Sequence, residues 1–219
     1  MKKGLIYIHG KGGSAAEAAH YRALFPEYDV AGFDYKSETP WAAREEFAAY
    51  FDVFRSAHDG AGIIANSIGA FFSMHALADR EVAQAWFISP IVNMEKLISD
   101  MMHWANVTES ELQARGEIET AFGETLSWEY LCWVRSHPLA WRVPTRILYG
   151  SGDHLQAPGT VQAFAEQTGA EMTVMEGGEH WFHTPDQMAF LDRWVTDSME
   201  AFAHREDPTA SAAMLLGLL

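Results

Sequence analysis

The 219-residue chain has one cysteine, Cys132, and few basic side chains, 15 Lys and Arg against 30 Asp and Glu. A single cysteine cannot form an internal disulfide, so nothing calls for an oxidising compartment. The formal net charge of −15 disfavours nucleic acid and anionic membrane surfaces as partners, since both repel an acidic protein. Long apolar runs are also lacking, and no stretch approaches the ~20 apolar residues of a membrane-spanning helix. Met1-Lys2-Lys3 before Leu5 to Ile8 has the look of a signal-peptide start. However, His9-Gly10 breaks that run well short of the ~7–15 residues of a signal core. These absences predict a soluble, cytoplasmic protein with no membrane span.

Two phosphate-binding patterns are missing as well. Gly4 and Gly10 are too widely spaced for a phosphate loop, Gly12 follows Lys11 where Ser or Thr is needed, and Gly10, Gly12 and Gly13 do not make a G-x-G-x-x-G. Ten histidines raise the question of metal, but His180-x-x-His183 lacks the Glu and helical setting of a zinc-protease motif and no Cys pair supports it. No metal and no cofactor are expected.

What the chain does contain is an alternation of strand-like and helix-like segments, which predicts one α/β domain with a parallel sheet and helices on both faces. Strands are expected at Leu5–Ile8, Val30–Asp34, Gly62–Ala65, Ala85–Ser89, Arg146–Tyr149 and Met172–Met175. Helices are expected near Ala15–Leu24, Trp41–Ala57, Ile68–Ala78, Pro158–Thr168 and Pro185–Ala203. In the second of these, Phe47, Tyr50, Phe51 and Phe54 make an amphipathic stripe that should pack on the sheet. Between Pro90 and Trp141 no strand signal appears and helical spacing dominates. Met94, Leu97, Ile98, Met101 and Met102 form a stripe, Thr108-Glu109-Ser110-Glu111 reads as a capping box, and Ser127 to Val134 suggests a third helix. The expected organisation is a core of residues 1–90 and 142–203, a helical insertion 91–141, and a tail 204–219 without an assigned role.

The most informative feature is a serine on a tight turn, Ala65-Asn66-Ser67-Ile68-Gly69, between the apolar Gly62–Ala65 run and a helical segment. A serine there is presented at the edge of a sheet above a helix N-terminus, and small neighbours are needed because the backbone is crowded. Ala65 stands where a glycine is usual in such turns. Three further motifs complete the setting. The first strand ends in His9-Gly10-Lys11-Gly12-Gly13, a turn whose backbone N–H groups can approach an anion. The strand at Arg146–Tyr149 delivers Asp153, and the strand at Met172–Met175 leads to Gly177-Gly178-Glu179-His180. His183 is a rival to His180 but falls beside Pro185 where a helix should start, and Asp34 comes too early in the chain order to be the acid.

In this order, Ser67, Asp153 and His180 resemble the triad of the α/β-hydrolase superfamily, specifically its small bacterial serine esterases and lipase-like hydrolases. The resemblance spans nearly the whole chain, from His9-Gly10 to His180. It implies an α/β-hydrolase sheet, mostly parallel, trimmed to six strands from the usual eight by loss of the two leading ones. It implies Ser67 as nucleophile, His180 as base and Asp153 as its orienting acid. The backbone N–H groups of Lys11 and Ile68 would form an oxyanion hole, with His9, Gly10, Asn66 and Gly69 supporting the turns. The insertion would be a lid over the site, with Trp104, Trp128, Trp133 and Trp181 lining a substrate pocket and Trp141 beside them.

The expected activity is cleavage of small-molecule carboxylic esters with small or medium apolar acyl groups through an acyl-enzyme. Serine at position 67 argues against haloalkane dehalogenases and epoxide hydrolases, which use aspartate there. Thioesters, lactones, amides and carbon–carbon bonds stay open as alternatives, as does a ligand-binding protein with a vestigially active site. The oligomeric state is open between monomer and homodimer.

Overall fold

The computed structural model describes residues 2–206, the last three by their backbone only. Of the expected tail, residues 207–219 lie outside the described residues. The described strands are β1 (Gly4–Ile8), β2 (Asp29–Phe33), β3 (Ala61–Asn66), β4 (Ala85–Ile88), β5 (Glu117–Glu119), β6 (Thr125–Ser127), β7 (Thr145–Gly150) and β8 (Glu171–Met175). The α-helices are α1 (Ala18–Leu24), α2 (Pro40–Ser56), α3 (Ile68–Ala76), α4 (Met94–Trp104), α5 (Glu109–Arg115), α6 (Trp128–Ser136), α7 (Pro158–Thr168) and α8 (Pro185–Glu206). A short 3-10 turn, Ala15–Glu17, precedes α1.

Six strands pair into one sheet in the order β2-β1-β3-β4-β7-β8, and every pairing is parallel. Parallel strands need helical crossovers, which cover both faces, so the central strands are buried throughout and read as unbroken apolar runs. One face carries Phe47 and Phe51 of α2, Phe71 and Phe72 of α3 and Val161 of α7. The other carries Tyr21 of α1 and Leu191, Trp194 and Val195 of α8. Fully burying an aromatic or aliphatic side chain contributes about 1.5–3 kcal/mol, so the helix stripes account for much of the fold's hydrophobic stabilisation. The Phe47 stripe behaves as expected, with Phe47 and Phe51 buried and Tyr50 and Phe54 packed at their margin.

The segment between β4 and β7 departs from the sequence reading in one respect. Its three helices are where helical spacing put them, and Thr108 and Glu111 do form a capping box. Between α5 and α6, however, lies an antiparallel hairpin, β5 with β6, where no strand was expected. Each strand is three residues long with one buried position, Ile118 or Leu126, too short to register as alternation. The turn at its tip is closed by Thr120, whose hydroxyl donates to the Glu124 carbonyl at 2.7 Å, and by Gly123 at φ 85°. Leu97, Ile98, Leu112, Ile118, Leu126 and Leu131 join the hydrophobic cluster of the α2–α3 face, so the insertion is packed onto the sheet's own core.

Candidate active site

All the sheet's C-terminal strand ends open on one edge, and β3 delivers Ser67 there. Ser67 has φ 49° and ψ −117° and stands as the N-cap of α3. Such a left-handed conformation in a non-glycine residue costs on the order of 1–3 kcal/mol and is held only by its surroundings. Those surroundings are specific: the Ser67 N–H donates to the Ile88 carbonyl at 3.0 Å, and the Ser67 carbonyl accepts from Ile91 at 3.2 Å. Gly69 is required by close approach, since a Cβ there would lie 2.5 Å from the His9 carbonyl oxygen. Ala65, by contrast, fits with its methyl group buried, so the missing glycine is tolerated.

His180 lies between Ser67 and Asp153. Its Nε2 is 2.8 Å from Ser67 Oγ and its Nδ1 is 2.7 Å from Asp153 Oδ2. An ionised carboxylate only accepts, so Nδ1 carries the proton and Nε2 is left to accept from the serine hydroxyl. The Asp153 side chain is fully buried, and its other oxygen accepts from the Leu155 N–H at 2.8 Å. His183 is turned elsewhere, its Nδ1 2.6 Å from the Trp181 carbonyl.

The turn after β1 abuts the serine. A Cβ on Gly10 would lie 3.2 Å from Ser67 Cβ, so the turn packs tightly against the nucleophile position. Gly13 N–H closes the turn on the Gly10 carbonyl at 3.1 Å, across Lys11 and Gly12. His9 stacks on Tyr35, centroids 4.4 Å apart, and Tyr35 Oη donates to the His9 carbonyl at 2.9 Å. Ile68, first residue of α3, has one of the N–H groups that a helix leaves without an internal acceptor. The Lys11 ammonium pairs with Glu124 at the hairpin tip, a contact from the insertion to this turn that the sequence reading missed. Also unforeseen is a half-buried contact in which Asn66 Nδ2 donates to Tyr7 Oη at 3.0 Å.

The four tryptophans expected to share a pocket occupy separate settings. Trp133 packs against Trp41, His75 and His137, and Trp128 lies against the main core. Trp104 is half-exposed against Phe122, while Trp181 is exposed and stacked on His183. Among the described residues no ring contact joins any two of the four. Trp141 is buried on Phe87 with its indole N–H donating to Thr145, a core position.

No family model matches the chain, and no curated protein matches it in sequence. Solved structures do. Est1E from Butyrivibrio proteoclasticus superposes with a TM-score of 0.73 at 15% identity, covering 93% of this chain and 90% of that one. Alpha/beta hydrolase domain-containing protein 10 from mouse gives 0.72 at 17% identity over 90% of both chains. An esterase from Pyrococcus furiosus gives 0.60 at 19%, covering 93% of this chain and 82% of the other. The chain therefore has the α/β-hydrolase fold, with a parallel six-stranded sheet and helices around it.

Proposed function

We propose that the chain is a serine hydrolase that cleaves carboxylic esters of small or medium apolar acyl groups. The observation that carries this reading is the unbroken line Ser67 Oγ, His180 and Asp153, at 2.8 and 2.7 Å. That Est1E and the Pyrococcus protein are esterases supports the same class of reaction.

In this reading His180 Nε2 takes the Ser67 proton as Oγ attacks the ester carbonyl, because a serine hydroxyl is a poor nucleophile without an adjacent base. Asp153 holds the imidazole in the tautomer that can accept and stabilises the imidazolium that forms. The carbonyl oxygen gains negative charge and is met by the N–H groups of Ile68 and Lys11, a contribution worth on the order of 10²–10³ in rate per donor. His180 then returns the proton to the departing alkoxide, leaving an acyl-Ser67. Water attacks that ester with His180 again as base and regenerates the serine. The insertion serves as a lid over the site, and the Lys11–Glu124 pair supports this by tying the hairpin tip to the turn beside Ser67. No helix among the described residues is long and apolar enough to cross a membrane. The proposed enzyme is cytoplasmic and acts on small-molecule esters without a cofactor.

Hydrolysis of p-nitrophenyl esters from acetate to dodecanoate, with Ser67→Ala beside the wild type, tests the reading. Turnover by the wild type alone is expected, with the best chain length among the shorter acyl groups. Covalent uptake of a fluorophosphonate on Ser67 without ester turnover would move the substrate to a thioester, lactone, amide or carbon–carbon bond. Saturable ester binding with neither turnover nor uptake would mark a ligand-binding protein instead.

A further inference from the structure

Behind Ser67, on the face of the sheet shared with α1 and α8, a hydrogen-bond line centred on a buried tyrosine and ending at an exposed glutamate joins the two backbone segments that carry Ile68 and Lys11. Tyr7, on β1, is 1% exposed. Its hydroxyl donates to the Glu17 carboxylate and accepts from Asn66 Nδ2. The other Glu17 oxygen accepts from the Ser14 N–H at 2.9 Å, closing the capping box that ends the glycine turn.

The direction of every bond in this line is forced. A carboxylate can only accept, so the phenol proton belongs to Glu17, and the only group left for Asn66 to offer the phenol oxygen is its N–H. Burial first, then Tyr21 and the Glu17 carboxylate, push the Tyr7 hydroxyl far above its usual titration range, so the proton stays in place. The Asn66 amide is thereby turned so that its Oδ1 is buried without a partner. An orphaned acceptor of this kind costs about 1–3 kcal/mol. A fold that only needed a filled core there would be better served by an apolar side chain next to the nucleophile.

The sheet does not itself hold these segments together. The β1–β3 ladder ends at Ile8 opposite Ala65, and residues 9–14 and 66–68 run on beyond it. Resting on the hydrolase reading above, we propose that Tyr7 is a positioning residue that sets the spacing of the Lys11 and Ile68 N–H groups by tying Asn66 to the turn-closing Glu17. Tyr7 touches no reacting atom. Its role is to keep the two donors aimed at the charge that develops on the substrate oxygen.

Tyr7 also stacks on Tyr21, centroids 5.0 Å apart, so a purely structural role must be separable. Tyr7→Phe keeps the ring and removes the hydroxyl, and Tyr21→Phe is the packing control. Because a donor is misplaced rather than removed, kcat for p-nitrophenyl acetate should fall about tenfold in Tyr7→Phe with KM within about twofold. Affinity for an alkylboronic acid, whose tetrahedral adduct needs both donors, should fall by the same factor, while the planar amide of the same skeleton binds as before. Glu17→Ala, at an exposed position, should do the same, and the double variant should lose no more than the worse single one.

Unchanged kcat and boronate affinity in a folded Tyr7→Phe would overturn the proposal, as would an equal fall in Tyr21→Phe or additive losses in the double variant. Should Tyr7→Phe not fold, a Glu17→Ala enzyme with wild-type kcat and boronate affinity would overturn it alone. A wild type inert to both esters and fluorophosphonate removes the hydrolase reading and this one together, a result distinct from a reactive enzyme indifferent to Tyr7→Phe.

Discussion

Of the histidine–aspartate pairs, two sit at opposite edges of the sheet. At the C-terminal edge His180 faces Asp153 at 2.7 Å. At the N-terminal edge His58, just after α2, faces Asp29 at 2.8 Å. As pairs they are nearly alike, and what separates them is the other ring nitrogen. His180 Nε2 meets the Ser67 hydroxyl, which can donate, so a neutral imidazole is satisfied and has a basic nitrogen to use. His58 Nδ1 is 2.7 Å from the Phe54 carbonyl, which can only accept. With acceptors on both sides, His58 is satisfied as an imidazolium and has no lone pair to offer. The acids differ too, for the Asp153 side chain is fully buried while that of Asp29 is 62% exposed. A histidine beside an aspartate is therefore not a base until something that can give it a proton stands on its far side.

The hardest test of that contrast is removal of each pair. On the proposed mechanism, Ser67→Ala or His180→Ala should lower kcat/KM by on the order of 10⁴ or more. Asp153→Asn should cost on the order of 10³–10⁴, because an amide can donate to Nδ1 and favours the wrong tautomer. His58→Ala and Asp29→Asn should leave kcat/KM within about twofold while lowering the melting temperature. An Asp29→Asn enzyme as impaired as Asp153→Asn would break the comparison.

A second contrast uses the glycines that crowd each edge. A Cβ on Gly69 would meet the His9 carbonyl oxygen at 2.5 Å, which is backbone and cannot step aside. A Cβ on Gly4 would meet Phe54 Cε1 at 2.4 Å and His58 Cγ at 2.9 Å, both side-chain atoms that can re-pack. Gly69→Ala should destabilise by about 2–4 kcal/mol and abolish ester hydrolysis, because the turn must move away from Ser67. Gly4→Ala should cost about 1–3 kcal/mol for the overpacking and leave activity intact. Urea melts alongside initial rates would read both, and equal losses of activity would show that the two edges are mechanically coupled.

How much of this could be read before the structure follows from the range of each interaction. The six parallel strands, α7 at Pro158–Thr168 and the capping box at Thr108 depend on neighbours a few residues apart, and all were visible as pattern. The chain order of Ser67, Asp153 and His180, each just past a strand, sufficed to name three side chains that meet, because a parallel sheet brings its strand ends to one edge. The β5–β6 hairpin was hidden because three residues carry no period. Lys11 with Glu124 and Tyr7 with Asn66 were hidden for a different reason: they join residues 113 and 59 apart through side-chain reach that no local spacing encodes. The settings of the tryptophans were hidden too, because abundance of aromatic surface does not say where each ring lies: Trp141 is buried in the core while Trp104 and Trp181 are exposed.

The smallest effect, and the one that most sharpens the contrast, is in the pH dependence of stability. Burial pulls the His58 pKa down, but the Phe54 carbonyl and the Asp29 carboxylate together outweigh it, and the net direction is up. A folded-state pKa raised above the unfolded value of ~6.5 means that the folded protein binds the proton more tightly. The stabilisation is then fully present below the unfolded pKa and is lost as pH rises through the folded one. Asp29 is mostly solvated, so the amount should be about 1 kcal/mol or less. Chemical denaturation of wild type and His58→Gln from mildly acidic to mildly alkaline pH isolates it. The difference in unfolding free energy should shrink as pH rises, and it should shrink less in 1 M salt, where the exposed carboxylate is screened. A difference that grows with pH would mean that His58 is buried neutral, and the contrast drawn from its two acceptors would fail.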